Sequence, residues 1–275
     1  MTTKFTRPKI MGILNATPDS FSDGGRYDGL ELAVKGAMRL WEQGADIIDI
    51  GGESTRPGAE EVSVAEEIMR TVPVIVALRE GTKDKEVGPV ISIDTRKSEV
   101  AQAAILAGAD IWNDVTALTF DASSEKIAAE LGCPVILMHM QGSPETMQHN
   151  PHYENAVAEV KDYLAKRIDA LDFAGVDREN ITLDPGIGFG KRQEDNLAIL
   201  HHLAEFKSLG CPILMGASRK SFIGRIDGSS ADDRLGGSLA AALWSAQAGA
   251  AIVRVHDVSE TVQAMKVWEA MANEK

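Results

Sequence analysis

One unit, a short apolar segment followed by a helix-length segment, recurs eight times along the 275 residues without a break in composition. Three of the units begin alike, with a glycine, a small residue and then an apolar strand-like segment, at Gly44, Gly108 and Gly249. A glycine in this place is typical of a helix end, so each one marks a passage from a helix to a buried strand. Repeated strand-helix-strand crossovers require a parallel sheet, and eight of them indicate a closed barrel. The sequence therefore predicts an α/β protein with a (β/α)8 barrel, in which residues 1–275 form a single domain.

The strands and helices can be placed from their periodicity and from the glycine and proline residues between them. We predict strands over Ile10–Leu14, Asp46–Ile50, Val90–Asp94, Asp110–Val115, Val135–Met138, Ile181–Leu183, Ile213–Met215 and Ala251–Val255. We predict helices over Leu30–Gln43, Val64–Glu80, Lys97–Ala107, Ser124–Leu131, Asn155–Ala174, Asp195–Leu209, Gly237–Ala248 and Ser259–Ala272. The alternative is an open doubly wound sheet, whose first strand would lead into a glycine-rich phosphate loop. Neither a Walker pattern nor a dinucleotide-binding pattern is present at that place.

The charge and the cysteines limit the partners and the compartment. A formal net charge of −13 argues against nucleic acid or an anionic membrane as the main partner, so an anionic substrate would need a local cationic site. The polar start, Met1–Lys9, does not resemble a secretion signal, and no apolar run is long enough to span a bilayer. Cys133 and Cys211 each precede an apolar run in a Leu-Gly-Cys-Pro context, which favours a buried thiol over a disulfide or a metal site. We expect a cytoplasmic protein.

The stretch from Ile181 to Lys191 ends its strand in a carboxylate, Asp184, followed by a proline and three glycines. Glycines leave the backbone of the loop bare, so a flat ligand could lie against it and Phe189 could cover that ligand. The alternative is an ordinary strand-to-helix turn in which Asp184 only caps the helix that follows.

Polar side chains also follow the other predicted strands, at the barrel face where parallel barrels carry their chemistry. This ring consists of Asn15, Asp49, Asp94, Asn113, His139, Asp184, Arg254 and His256, with Arg56 and Lys220 in the loops just beyond. Any one of these residues could instead be a satisfied core or capping residue. A complete ring is poorly explained in that way.

The cations of this ring suit an anionic ligand. Arg254 and His256 lie two residues apart, which places both on one face of a strand, and Arg56 could join them. Arginine donates in pairs to phosphate oxygens, and histidine can add a hydrogen bond, so the group suits a diphosphate. A strand-end salt bridge with a helix carboxylate is the alternative.

The acidic and amide side chains suit a different ligand. Asp94, Asn113 and Asp184 could accept hydrogen bonds from a ring edge rich in N–H donors, as in a guanine-like or pterin heterocycle. Aligning the repeats places Asp49, Asn113 and Arg254 at one register. Asp94 could instead only start a helix. Neither a paired-cysteine motif nor a His-Glu-x-x-His motif is present, so a zinc site is not predicted. No nucleophile elbow is present either, so covalent catalysis is not expected.

Seven motifs stand in order from the first strand to the last, and no motif position departs from the family pattern that they share. They are Leu14–Gly25, Asp49–Gly58, Ser92–Thr95, Asn113–Val115, Asp184–Lys191, Ser218–Ser221 and Arg254–Asp257. Together they closely resemble the dihydropteroate synthase family. The resemblance implies a (β/α)8 TIM barrel that joins 4-aminobenzoate to 6-hydroxymethyl-7,8-dihydropterin diphosphate and releases pyrophosphate. It also implies Mg²⁺ and a homodimer formed through outer helices.

The resemblance further implies three subsites, whose residues are named by their numbers in this sequence. The pterin would be held by Asp94, Asn113, Met138, Asp184, Gly216 and Lys220. The diphosphate would contact Asn15, Thr55, Arg56, Arg254 and His256, with Mg²⁺ at Asn15. The aminobenzoate, and sulfonamides in its place, would contact Thr55, Pro57, Phe189, Lys220 and Ser221.

The chemistry expected of such a site is loss of diphosphate by an SN1-like route, since the dihydropterin ring delocalises the developing cation. We assign the catalytic roles to Asp94, Asp184 and Lys220, and we expect loops 16–29 and 51–61 to close over the bound diphosphate. One rival is a pterin-binding methyltransferase barrel, which would need neither Arg254-Val255-His256 nor the Ser-Arg-Lys-Ser loop. The other is a catalytically inactive pterin-binding homologue.

Overall fold

The apolar segments of the sequence become eight parallel strands in a computed structural model, which describes residues 6–17, 26–54, 61–143 and 146–274. The strands are β1 Lys9–Asn15, β2 Ile47–Gly51, β3 Val90–Asp94, β4 Ile111–Asp114, β5 Val135–Met138, β6 Ile181–Asp184, β7 Leu214–Met215 and β8 Ile252–Val255. The helices are α1 Arg26–Glu42, α2 Val64–Thr82, α3 Ser98–Leu106, α4 Ser124–Leu131, α5 Ala156–Ala174, α6 Gln193–His201, α7 Ser221–Asp227, α8 Leu235–Ala248 and α9 Val258–Asn273.

The strands follow one another around the sheet in chain order, with β1 paired to both β2 and β8. A single parallel bridge between Leu183 and Ile213 joins β6 to β7, and the Leu183 amide donates to the Pro212 carbonyl at 2.9 Å. This bridge closes the barrel. An open doubly wound sheet would reverse its strand order at a switch point, so the predicted barrel is confirmed and the alternative is excluded.

Two layers of apolar side chains form the core. The larger layer lies between the strands and the helices. The smaller one fills the lower part of the barrel and consists of Met11, Ile47, Ile136, Leu214 and Ile252, with Val90 and Ile111 packed against it. Side chains two residues apart in a strand share a face, so the positions that follow in β2, β4 and β8 also point inward. They are Asp49, Asn113 and Arg254, and the apolar layer is therefore the floor of a polar site.

Two segments differ from the sequence prediction. The helix predicted over Asp195–Leu209 ends at His201 and continues as a 3₁₀ helix over Leu203–Leu209. Leu203 and Phe206 are both buried, and a period of three residues places such a pair on one side. The basic segment after β7 was predicted to be a loop, but it leads into α7, whose Phe222 and Ile223 are buried.

Cys133 and Cys211 are free, buried thiols, as predicted. Among the helices that the structure describes, none has the length and apolar character needed to cross a membrane.

Candidate active site

The centre of the polar site is one buried carboxylate, Asp49. Its Oδ2 accepts a hydrogen bond from Arg254 Nε at 2.6 Å and another from Asn113 Nδ2 at 3.1 Å. Arg254 Nη2 also donates to Asp94 Oδ2 at 2.6 Å. The structure thus brings together the three residues that the repeat alignment placed at one register, and Arg254 binds two carboxylates at once.

Burial controls the electrostatics of this group. It raises the pKa of Asp94 to about 7, an effect that Arg254 opposes and Asp49 reinforces. Burial lowers the pKa of Arg254, but the two carboxylates outweigh it and raise that pKa, so the guanidinium stays charged. The Oδ1 atoms of Asp49 and Asp94 are buried, and neither has a hydrogen-bond partner within the described residues. Both oxygens could therefore accept hydrogen bonds from a bound N–H-rich ring.

Asp184 stands at the end of β6, where Met138 of β5 is its register partner. Its Oδ1 accepts from the Gly186 amide at 2.7 Å. Burial raises the pKa of this carboxyl group, although Gly186, Lys220 and Arg254 act in the opposite direction. A Cβ atom built on Gly216 would lie 3.8 Å from Asp184 Oδ2 and 3.9 Å from Arg254 Cβ. The Asp184 carboxylate and the base of the Arg254 side chain therefore both lie beside the bare backbone of Gly216.

The loop after β7 sends three consecutive side chains in different directions. The Oγ atom of Ser218 lies 3.1 Å from His256 Nδ1 and accepts from the His256 amide at 3.2 Å. Arg219, whose φ is 57°, donates through Nε to Asp257 Oδ2 at 3.0 Å. Lys220 Nζ lies 3.9 Å from the centroid of the Phe189 ring, and Ser221, the first residue of α7, is exposed. Arg219 therefore anchors the loop to Asp257, while Ser218 contacts His256 and Lys220 contacts Phe189.

His256 is neutral at physiological pH. Burial and the charges of Arg254 and Arg219 lower the pKa of its imidazole to about 4. Because the Arg254 guanidinium binds carboxylates and His256 binds Ser218, the two side chains do not form a separate cationic cluster. His256 can contribute a hydrogen bond to an anion, but no charge.

Three predicted site residues, Thr55, Arg56 and Pro57, lie outside the described residues. The chain on either side of them converges on Glu53, whose Oε1 accepts from the Val62 amide at 3.0 Å. Its Oε2 accepts from Arg96 Nε at 3.1 Å and from Lys97 Nζ at 3.0 Å. Although burial acts in the opposite direction, these cations hold the pKa of Glu53 below its usual value. The base of the β2–α2 loop is thus fixed.

Neither Glu53 nor Lys97 is among the predicted site residues, although Glu53 lies inside the motif Asp49–Gly58 and Lys97 follows the motif Ser92–Thr95 closely. Lys97 is buried, and its Nζ also donates to the buried Glu67 at 2.7 Å. A buried lysine is uncommon without a carboxylate partner, but the sequence does not say which of many carboxylates that partner is.

Asn15, the predicted Mg²⁺ contact, ends β1 on the same barrel face. It is exposed, and its register partner Gly51 is in turn the register partner of Asp94. Within the described residues, no group of three or more His, Cys, Asp or Glu side chains could hold a metal ion. A Mg²⁺ ion that keeps several waters and is bound mainly by substrate phosphates needs only one or two protein oxygens. The carboxamide of Asn15 fits that role, whereas a metal site built from protein ligands alone does not fit the described residues.

Comparison with known proteins agrees with this geometry. The family model described as "Pterin binding enzyme" matches residues 11–256. The fold and the site therefore define a pterin-binding barrel enzyme. The chain is 50% identical over 270 residues to the dihydropteroate synthase of Escherichia coli K12, covering 98% of this chain and 94% of the relative. It is 45% identical to that of Bacillus subtilis 168, covering 96% of this chain and 88% of the relative.

Solved structures give the same result. The dihydropteroate synthase of Xanthomonas albilineans with 4-aminobenzoic acid superposes with a TM-score of 0.90 at 47% identity, covering 98% of this chain and 94% of that one. A second structure from that organism, in complex with 7,8-dihydropteroate, gives 0.87 at 44% identity, with coverage of 98% and 95%. The Yersinia pestis enzyme in a sulfonamide drug complex gives 0.90 at 43%, with coverage of 100% and 98%. The chain belongs to the dihydropteroate synthase family.

Proposed function

We propose that this chain condenses 6-hydroxymethyl-7,8-dihydropterin diphosphate with 4-aminobenzoate at the barrel face described above, giving 7,8-dihydropteroate and pyrophosphate. The observation that carries the proposal is the placement of Asp184 and Arg254 beside Gly216, with Asp94 and Asn113 alongside. A heterocycle with several N–H groups meets carboxylate and amide acceptors there. The relatives with 4-aminobenzoic acid and with 7,8-dihydropteroate carry compounds of the expected classes.

In this proposal Asp94, Asn113 and Asp184 hold the pterin ring, while Met138 and Gly216 line its slot. The buried Oδ1 of Asp94 supports an acceptor role, because it has no partner within the described residues. Lys220 and Phe189 are already in contact, and Ser221 lies next in the chain. This arrangement supports an aminobenzoate site at the mouth of the barrel, to which Thr55 and Pro57 would be added from the β2–α2 loop.

The reaction begins with the methylene carbon attached to the pterin ring. Its bond to the diphosphate oxygen breaks, and the electron pair leaves with the diphosphate. The positive charge spreads into the ring, where Asp94 and Asp184 stabilise it. The aminobenzoate nitrogen then donates its lone pair to the carbon, and the surplus proton passes to water. No strong base is required, because the electrophile is already a cation.

The departing diphosphate would be received by Arg254 and Arg56, with a hydrogen bond from His256. Mg²⁺, when bound with the substrate at Asn15, supplies further positive charge to the phosphate oxygens. Arg254 can contact the diphosphate only if its guanidinium gives up a hydrogen bond to Asp49 or Asp94. The N–H groups of the bound pterin would then take the place of the guanidinium at Asp94, so that the carboxylate keeps hydrogen-bond donors.

The direct test is to mix the purified chain with both substrates and Mg²⁺ and to measure pyrophosphate and dihydropteroate together. Both products are expected in equal amounts. Pterin binding without either product would favour an inactive pterin-binding protein. In a parallel assay that supplies a methylated pterin and a corrinoid acceptor, methyl transfer without pyrophosphate release in the first assay would favour the methyltransferase barrel.

A substitution at Gly216 tests the pterin slot. Gly216→Ala should leave the fold intact, because the new methyl group would meet its neighbours at ordinary contact distances. The methyl would lie beside the Asp184 carboxylate and Arg254, and one carbon in a binding pocket alters affinity by about tenfold or more. We therefore expect pterin affinity, measured by calorimetry, to fall about tenfold. Gly236→Ala, where a Cβ would meet nothing within 4 Å, is the matched control and should bind normally.

We also propose that two copies of the chain pair through the surface formed by α6, α7 and α8. Leu197, Ile226 and Trp244 are 40%, 65% and 49% exposed there, and they border a cavity of 430 Å³. A second copy that buried this patch would remove apolar surface from water. Sedimentation at micromolar concentration should give the mass of a dimer, and Ile226→Glu should give a monomer. A wild-type monomer at that concentration would contradict the assignment.

A further inference from the structure

The turn between β6 and α6, residues 185–192, is tied together by one buried lysine to which the proposed reaction gives no role. Lys191 is only 2% exposed. Its Nζ donates to the carbonyls of Gly186 and Phe189 at 2.9 and 3.0 Å, within the turn. The same Nζ lies 2.9 Å from His139 Nδ1 and donates to the His139 carbonyl at 3.3 Å. Lys191 thus joins the turn to the segment that follows β5.

The ammonium form of Lys191 matches this environment. It has three N–H donors and no acceptor, and it faces three carbonyl oxygens and a ring nitrogen. Burial lowers the pKa of Lys191 to about 7, an effect that Asp184 and Asp195 oppose and Lys220 reinforces. Burial and Lys191 lower the pKa of His139 to about 3, so its imidazole is neutral and Nδ1 can accept.

The turn packs so closely against the backbone that follows β5 that no Cβ atom would fit at two of its glycines. Gly186 and Gly190 have φ of 71° and 61°. A Cβ atom on Gly186 would lie 2.0 Å from the His139 carbonyl oxygen, and one on Gly190 would lie 2.4 Å from the Gln141 carbonyl oxygen. The backbone of the turn therefore packs directly against the backbone that follows β5. This close approach removes carbonyl groups from water, and Lys191 supplies hydrogen-bond donors for them.

Two parts of the proposed substrate site depend on the position of this turn. The Gly186 amide donates to Asp184 Oδ1 at 2.7 Å and so orients the carboxylate. The Phe189 ring lies against the Lys220 ammonium at the aminobenzoate side. A shift of the turn would move both contacts together.

We infer that Lys191 is a positioning residue, which fixes the turn 185–192 through its hydrogen bonds and thereby sets the Asp184 carboxylate and the Phe189 ring for substrate. The consequence for catalysis rests on the proposed function. The ordering of the turn does not, so the two can be tested separately.

The experiment compares the wild-type chain with Lys191→Met, which keeps the side-chain length and removes the donors. Hydrogen–deuterium exchange of the segment 185–192 reports on the turn, whose Gly188 amide donates to Asn196 at 2.7 Å. Steady-state kinetics give KM for 4-aminobenzoate and kcat. Lys97→Met is the matched control, since Lys97 is buried to a similar degree but binds Glu53 and Glu67 instead.

Lys191→Met is expected to speed exchange in 185–192 and not elsewhere. It should also lower kcat/KM for 4-aminobenzoate by up to about a hundredfold, the loss that a misplacement of about 1 Å can produce. Lys191→Gln keeps two N–H donors. Its exchange rate in 185–192 and its kinetic constants should therefore lie between those of Lys191→Met and those of the wild type. Lys97→Met should leave exchange in this segment unchanged.

Two results would overturn the inference: unchanged exchange in 185–192, or faster exchange throughout the chain. Failure of both Lys191 variants to fold would likewise make the lysine purely structural. If the wild-type chain forms no dihydropteroate, the proposed function fails, and the exchange result still decides the role of Lys191.

Discussion

Replacing Arg254 by alanine is expected to lower the free energy of unfolding by about 3 kcal/mol at pH 8, in addition to any loss of activity. The substitution leaves Asp49 and Asp94 facing each other without the guanidinium that binds both. Removing one partner of a buried ion pair typically costs about 3 to 5 kcal/mol. The lower end applies here because 22% of the Arg254 side chain is exposed, although the Asp49 side chain is fully buried.

The loss of stability caused by this substitution should depend on pH. The direction of that dependence follows from the titration of Asp94. An unfolded aspartate has a pKa of about 3.9, whereas burial raises the pKa of Asp94 in the folded chain to about 7. Between these values the folded state holds the extra proton, so this group lowers stability as the pH rises through that range. Without Arg254 the folded pKa rises further, and the fall in stability extends to higher pH. The difference between variant and wild type should therefore be smallest near pH 5 and largest above pH 7.

Urea unfolding of both proteins at pH 5 and pH 8 measures this difference. Arg7→Ala is the matched control, because Arg7 also binds a carboxylate through two nitrogens, but both side chains of that pair are about a third exposed. Its cost should be about 1 kcal/mol or less. Arg254→Lys should recover part of the stability, since an ammonium keeps the charge but lacks the planar fork. A cost for Arg254→Ala no greater than that for Arg7→Ala would show that Arg254 does not stabilise the acidic pair.

The barrel and the position of its site could be predicted from the sequence because both depend on local patterns. Glycine at a helix end and an apolar segment after it repeat along the chain, and the alternation within a strand fixes which side chains face inward. Aligning the repeats placed Asp49, Asn113 and Arg254 at one register, and in the structure they are in direct contact.

The partners of these residues could not be predicted in the same way. Arg254 lies 205 residues from Asp49 and 160 from Asp94, and a pattern within one strand does not specify how charges pair across the barrel. From the sequence we predicted a cationic group that includes Arg254 and a distinct acidic group that includes Asp94. In the structure Arg254 binds Asp94 directly, so the two groups are one. The role of Lys191 could not be predicted either. Most acceptors of its ammonium group are backbone carbonyls, and every residue has one, so the sequence does not show which of them a lysine will bind.

Replacing Asp184 by asparagine should weaken pterin binding by about ten- to a hundredfold while the chain stays folded. Hydrogen bonds to a charged group are worth about 1.5 to 3 kcal/mol, and asparagine keeps the shape but loses the charge. Its carbonyl oxygen can still accept from the Gly186 amide, so the local turn should persist.

Calorimetric titration with a pterin and thermal unfolding of the same samples separate binding from stability. Asp114→Asn is the matched control, since Asp114 is also a buried carboxylate at a strand end, where it accepts from the Thr116 and Leu118 amides at 2.6 and 3.0 Å. That control should lose stability and keep its pterin affinity. If Asp184→Asn unfolds, or binds pterin as tightly as the wild type, then the Asp184 carboxylate serves the fold and not the ligand, because only a ligand-binding carboxylate predicts a loss of affinity in a folded chain.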